Sequence, residues 1–163
     1  EYRRRVIDDV LDEALPELAA VAIEGAKGVG KTATTTRRAA TVLSLRILAP
    51  ASVAANFDLV TEVKPPVFID EWQLEPQVWD RVRTAVDEQP TGGGRFLLAG
   101  SAGLAPGVRV HSGAGRIVSL TMRPMAFSER GLQEPTVSLR SVPLGREDRG
   151  QFDLGVRDYV DEI

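Results

Sequence analysis

The feature that most constrains this chain is the junction between Ala20-Val21-Ala22-Ile23-Glu24 and Gly25-Ala26-Lys27-Gly28-Val29-Gly30-Lys31-Thr32. A short apolar, β-favouring run enters a glycine-rich turn that ends in Lys-Thr, satisfying G-x-x-x-x-G-K-[ST]. A helix is predicted to follow, from Lys31 to about Ser44, so the pattern has the strand-loop-helix flanks of a phosphate-binding P-loop. Such a loop wraps phosphate by pointing successive backbone N–H groups inward. That shape favours glycine, which lacks Cβ and tolerates positive φ. On this reading residues Gly25, Ala26, Lys27, Gly28, Val29, Gly30, Lys31 and Thr32 bind the nucleotide phosphates. Lys31 supplies a full charge to the β- and γ-phosphates, and the Thr32 hydroxyl is placed for Mg²⁺. Only three lysines, Lys27, Lys31 and Lys64, stand against seventeen arginines, and two of them lie in this loop. General lysine richness therefore does not explain Lys31. Lys27 occupies a variable position and reads as a solvated side chain rather than a catalytic one.

A second segment complements the first. Val67-Phe68-Ile69 is a buried-strand pattern ending in Asp70-Glu71, which looks like a Walker B element. Asp70 is the expected metal-shell residue alongside Thr32, and Glu71 the candidate that orients and polarises an attacking water. Ser101 follows another apolar strand, Arg95 to Gly100, and takes the place of a polar sensor of the γ-phosphate or the water; a serine there is also an ordinary helix cap. Arg116 opens a predicted strand, Arg116 to Met122, and is a candidate arginine finger in its own or a neighbouring subunit, with a surface arginine as the alternative. His111 receives no role, and Trp72 and Trp79 read as packing residues.

The remaining elements set the frame. A helix is predicted from Arg3 to Leu18, a strand over Leu45 to Ala49, an ambiguous helical stretch from Ser52 to about Val63, and a helix from Pro76 to Glu88. Strands alternating with helices imply a parallel sheet covered on both faces. Ligands bind such sheets at the carboxyl ends of the strands, where the glycine-rich loop, Asp70-Glu71 and Ser101 are all expected. The chain has 163 residues, a formal net charge of −3 and no cysteine. This allows one domain with a real core, excludes disulfides and thiolate metal sites, and offers no bulk basic charge for nucleic acid. With no signal peptide and no long apolar run, a soluble cytoplasmic protein is expected. A start at Glu1 and an end inside an amphipathic run suggest a fragment.

GAKGVGKT, FIDEWQ, RFLLAGSA, HSGAGR and MRPMAFSE, in that order, resemble the prokaryotic AAA-type P-loop ATPases generally described only as ATP-binding proteins, in which an AAA-type core precedes a C-terminal domain of unknown function. The resemblance runs over nearly the whole chain on five spaced motifs. It implies an α/β three-layer sandwich with a five-stranded, mostly parallel sheet. Lys31, Thr32, Asp70 and Glu71 carry over directly, Ser101 as sensor, and Arg116 as the arginine of the "GR" motif through which a homo-oligomer would form. Residues 1–150 would be the ATPase core and 151–163, which contain DLGVRDYVDEI, the start of a truncated helical lid. A missing C-terminal domain would carry partner or DNA contacts. The implied activity is Mg-dependent ATP hydrolysis coupled to an unknown partner. The alternatives are a nucleotide-dependent regulatory or DNA-associated switch with little turnover and, less favoured, a small-molecule kinase. A GTPase is disfavoured because no Asn-Lys-x-Asp motif exists in the chain.

Overall fold

A computed structural model describes residues 2–101 and 113–132. These fall into two compact units, one of residues 7–124 and one joining residues 2–6 to 125–132. The predicted lid segment 151–163 and His111 lie outside the described residues. The larger unit is built on five strands, β1 (Ala20–Gly25), β2 (Thr41–Ser44), β3 (Val67–Asp70), β4 (Phe96–Ser101) and β5 (Ile117–Thr121), in the order β2-β3-β4-β1-β5. Every neighbouring pair is parallel. The helices are α1 (Val6–Ala14), α2 (Lys31–Thr36), α3 (Pro50–Ala55), α4 (Phe57–Glu62) and α5 (Gln77–Glu88).

The period-two alternation of the strands explains the layering. Ala20, Ala22, Val67, Ile69, Phe96 and Leu98 point to one face, where they pack with Phe57 and Val60 of α4 and Val78, Trp79 and Val82 of α5. Val21, Ile23, Phe68, Leu97 and Ala99 point to the other, where Leu11 of α1 and Met122 join them. Both faces are thus covered, which is why β1, β3 and β4 read as unbroken apolar runs rather than as alternating ones. Trp72 and Trp79 stack at 4.7 Å between ring centroids within the first cluster, as packing residues. Ion pairs tie α1 to the segment just after α2: Arg38 Nη1 donates to the buried Asp8 Oδ1 at 2.7 Å and Arg38 Nε to the exposed Asp12 Oδ1 at 2.8 Å. Burial alone would lower the Arg38 pKa, but hydrogen bonds to Asp8 and Asp12 outweigh it and raise the value.

Two predicted elements are corrected. The helix after the glycine-rich loop ends at Thr36 rather than near Ser44, and the second strand is Thr41–Ser44 rather than Leu45 to Ala49. Successive threonines are poor helix formers, and the Pro66 carbonyl accepts the Ala40 and Thr41 N–H groups and draws the chain onto β3. Leu45-Arg46-Ile47 instead turns back, with Ile47 N and Leu48 N donating to the Ser44 carbonyl at 3.0 Å. Its apolar letters misled the strand assignment, since Ile47 is 86% exposed. The ambiguous 52–63 stretch resolves into α3 and α4. The first helix is shorter than its periodicity, beginning at Val6 and ending at Ala14. Among the described residues no helix is long and apolar enough to cross a membrane.

In the smaller unit a short helix, α6 (Phe127–Arg130), stands where the sequence carried little signal. Glu129 accepts the Ala126 and Val6 N–H groups, both at 2.7 Å, and pairs with Arg5 Nε at 3.2 Å. Burial opposes its ionisation, yet these donors hold its pKa below the ordinary value.

At the end of β3 the chain leaves the sheet through Glu71, which has φ 58° and ψ 41°. It is the only non-glycine residue with positive φ among those described. Left-handed geometry costs an L-residue about 1–2 kcal/mol, more than the roughly 0.5–1 kcal/mol of extra chain entropy that glycine loses on folding. Glu71→Gly is therefore expected to be more stable than Glu71→Ala, by up to about 1 kcal/mol. Urea unfolding of the two variants checks this, and an alanine variant of equal or greater stability would show that the site carries no strain.

Candidate functional site

The parallel register brings three strand ends together. Gly25 of β1 is opposite Ser101 of β4, and Asp70 of β3 is opposite Ala99. The glycine-rich loop, Asp70-Glu71 and Ser101 therefore share the carboxyl edge of three adjacent strands. Gly25 is required by a close approach: a Cβ there would lie 2.2 Å from the Met122 carbonyl oxygen. Gly28 and Gly30 have φ of 86° and 102°, so the loop turns through left-handed positions before α2 begins.

The Lys31 ammonium folds back across this loop and donates to the Gly25 and Ala26 carbonyls, both at 2.8 Å. A full positive charge is thereby held beside the backbone that would enclose phosphate. The next residue reaches across to β3, where Thr32 Oγ1 donates to the Asp70 carboxylate at 3.1 Å from Oδ2 and 3.3 Å from Oδ1. Burial is the largest influence on Asp70 and raises its pKa. The Thr32 hydroxyl, the Glu71 N–H and Arg46 oppose the rise, while the Glu71 charge adds to it.

Glu71 is held from both sides. Its Oε1 accepts Arg46 Nη2 at 2.7 Å and Nε at 3.1 Å, and its Oε2 accepts the Gln73 amide. Gln73 Nε2 also lies 3.0 Å from Ser101 Oγ. Sequence reasoning singled out neither Arg46 nor Gln73. Arg46 was hidden inside the misplaced strand; with β2 correctly ended at Ser44, it falls beside the end of β3. Gln73 was in plain view, two residues beyond Glu71 in FIDEWQ.

Arg116 is not brought to this edge. It precedes Ile117, which is paired with Ala20 at the amino end of β1, so five residues of strand separate that level from Gly25. At about 3.3 Å per residue this is roughly 16 Å. There its Nε pairs with Asp87 Oδ1 of α5 at 2.7 Å. The topology leaves Arg116 no role in the site of its own chain. A shallow hollow of about 260 Å³, lined by Asp12, Leu15, Pro16, Arg38 and Gly94, shares no residue with the site.

The donor set suits a hard cation with phosphate. Thr32 and Asp70 present oxygen only, as Mg²⁺ prefers, and two protein groups suffice where phosphates and water complete the shell. No group of three or more His, Cys, Asp or Glu side chains among the described residues forms a protein cage for a metal.

Comparison with known proteins places the chain. Residues 18–131 match the AAA domain family. Among solved structures, the chain is similar to the RuvB Holliday junction branch migration motor of Thermotoga maritima, with 21% identity and a TM-score of 0.39 over 72% of this chain and 45% of that one. It thus spans under half the length of that protein. Comparison with curated proteins finds no match. Because the family match covers most of the chain, including the glycine-rich loop, the Asp70-Glu71 strand end and Ser101, the chain belongs to the AAA domain family and carries an AAA-type P-loop ATPase core.

Proposed function

We propose that this chain binds ATP with Mg²⁺ and hydrolyses the γ-phosphate. The observation that carries the reading is the approach of Thr32 Oγ1 to Asp70 at 3.1 Å, with Lys31 on one side and Glu71 on the other. Thr32 and Asp70 would hold the Mg²⁺, which supplies neutralisation of phosphate charge. Lys31 and the loop N–H groups bind and orient the phosphates. Glu71 accepts a proton from the attacking water as its oxygen bonds to the γ-phosphorus and ADP leaves. Ser101 offers its hydroxyl to a γ-phosphate oxygen or to that water. The absence of Asn-Lys-x-Asp favours adenine over guanine nucleotide. A second reading, a nucleotide-dependent regulatory or DNA-associated switch with little turnover, draws on the Arg46–Glu71 pair, which engages the carboxylate that would take the proton.

Arg116, at the opposite edge, would contribute to catalysis only in a neighbouring copy, making a homo-oligomer part of the proposal. The partner coupled to hydrolysis, a cytoplasmic location and a lid beginning near residue 151 belong to the same proposal.

Three outcomes test it. Glu71→Gln should retain ATP binding while turnover falls by about 10²–10⁴-fold, the scale of a positioned proton acceptor. Lys31→Ala should weaken binding by about 1.5–3 kcal/mol, or roughly 10- to 150-fold. Phosphate release and ATP titration measure both, and unchanged turnover in Glu71→Gln removes its assigned role. Tight binding with no phosphate release by the wild type would favour the switch.

The raised Asp70 pKa has a defined sign. The native state keeps this proton to higher pH than the unfolded chain does, so its ionised form costs stability as pH rises through the unfolded and then the raised folded value. Asp70→Asn should therefore match wild-type stability at strongly acid pH and exceed it modestly near neutrality, while losing Mg²⁺-dependent turnover. Thermal unfolding across pH reads the first effect, and a constant difference would contradict it.

For Arg116, mixing equal amounts of Arg116→Ala and Glu71→Gln should restore up to about a quarter of wild-type turnover. In a head-to-tail assembly that is the share of interfaces pairing an intact arginine with an intact glutamate. No recovery on mixing assembled variants would overturn the role in trans.

A further inference from the structure

The described site contains a group that the hydrolysis reading does not use. Gln73 sits in the 3-10 turn Trp72–Leu74 that leaves β3, two residues beyond Glu71. Its half-buried side chain reaches both Glu71 Oε2 and Ser101 Oγ through the same nitrogen. We propose that Gln73 is a positioning residue whose amide locks the Glu71 carboxylate to the Ser101 hydroxyl, so that the two groups respond to the γ-phosphate as one unit. The inference rests on the reading of Glu71 as proton acceptor and of Ser101 as sensor.

The chemistry of the amide supports this. An NH₂ group has two protons and no acceptor capacity, so it can serve a carboxylate oxygen and a hydroxyl oxygen at once. Reversing the amide would place its oxygen against the like-charged oxygen of Glu71, which fixes the orientation. The consequence for Ser101 is a defined polarity. A hydroxyl that accepts from Gln73 keeps its own O–H to donate, which is what a phosphate oxygen requires. The fit also depends on Gly100: a Cβ there would lie 2.6 Å from Gln73 Oε1 and 2.8 Å from Trp72 Nε1, so only glycine lets the amide settle against β4.

The two restraints on Glu71 differ in kind. Arg46 comes from a turn, is 57% exposed, and holds Oε1 through an ion pair that water can replace at little cost. Gln73 holds Oε2 from within its own turn, and the bridge ends on the last residue of β4. When Arg46 turns away, Gln73 keeps the carboxylate aligned with the neighbouring strand end.

The test uses the full-length protein with the variants Gln73→Met, Ser101→Ala, their double, and Glu71→Gln. Methionine keeps the length and removes the donor. Gln73→Met should leave the ATP dissociation constant within about twofold and lower kcat by about 10- to 100-fold, the cost of misplacing a catalytic group. The double variant should lose no more than the worse single variant. Independent losses that multiply would overturn the bridge, as would wild-type kcat in Gln73→Met while Glu71→Gln is inactive. Turnover unaffected by Glu71→Gln would instead remove the underlying reading of Glu71. A second readout needs no turnover and no Gln73 variant. In the ¹H–¹⁵N spectrum of nucleotide-free protein, the Gln73 side-chain NH₂ pair should be displaced from solvent-exposed glutamine and move on Ser101→Ala. A pair that coincides with exposed glutamine, or does not respond to Ser101→Ala, would overturn the proposal.

Discussion

The site depends on a squeeze between two strand ends. Met122 N donates to the Glu24 carbonyl at 2.7 Å, extending the β1–β5 pairing beyond the last residue of β5. One residue on, the Met122 carbonyl faces the Gly25 Cα so closely that no side chain fits. The chain therefore leaves the sheet at a glycine pinned between β4 and β5. The loop that follows starts from a fixed point in the middle of the sheet rather than from a free edge. Lys31 closes that loop from inside by binding the carbonyls of Gly25 and Ala26, which places its charge where the loop begins.

From this anchor the parallel register does the rest. Ser101 is level with Gly25, and Asp70 is level with Ala99, two residues lower on β4. The offset lets Thr32, in the first turn of α2, reach the Asp70 carboxylate. A one-residue slip in β3 would turn Asp70 toward the opposite face and bury a charge among apolar neighbours. The alternation that fills both cores with Val67, Phe68 and Ile69 therefore also aims the carboxylate. Packing and chemistry are set by the same register.

How much of this was legible depended on how local each signal was. The P-loop, the Val67–Asp70 strand and the α5 stripe carry their instructions in adjacent letters, and all were recovered. β2 was not, because its identity is non-local. Thr41 to Ser44 becomes a strand through pairing with β3, whereas the more apolar Leu45-Arg46-Ile47-Leu48 turns away and leaves Ile47 in solvent. That error concealed Arg46, whose place beside Glu71 follows only from where β2 stops. Arg116 was legible as the opening residue of a strand, which in the structure begins one residue later at Ile117. Which edge it occupies is decided by the parallel direction of β5, and this separates it from the site of its own chain.

Several departures from unstrained, fully paired structure cluster around Glu71. Glu71 holds a left-handed backbone without being glycine, and Asp70 beside it is ionisable and partly desolvated. Trp72 Nε1 and Gln73 Oε1 are buried without a hydrogen-bond partner among the described residues. Each departure costs of order 1–3 kcal/mol, and all fall within four consecutive residues. The neighbouring strands β1, β3 and β4 show the opposite pattern, with apolar side chains on both faces and regular pairing. Stability is concentrated in those strands and given up at their carboxyl ends. The cost is borne by Val67–Asp70, whose apolar residues are fully enclosed, so the turn after it need not contribute to folding. That division lets a glutamate, an arginine and an amide be held by one another rather than by the core.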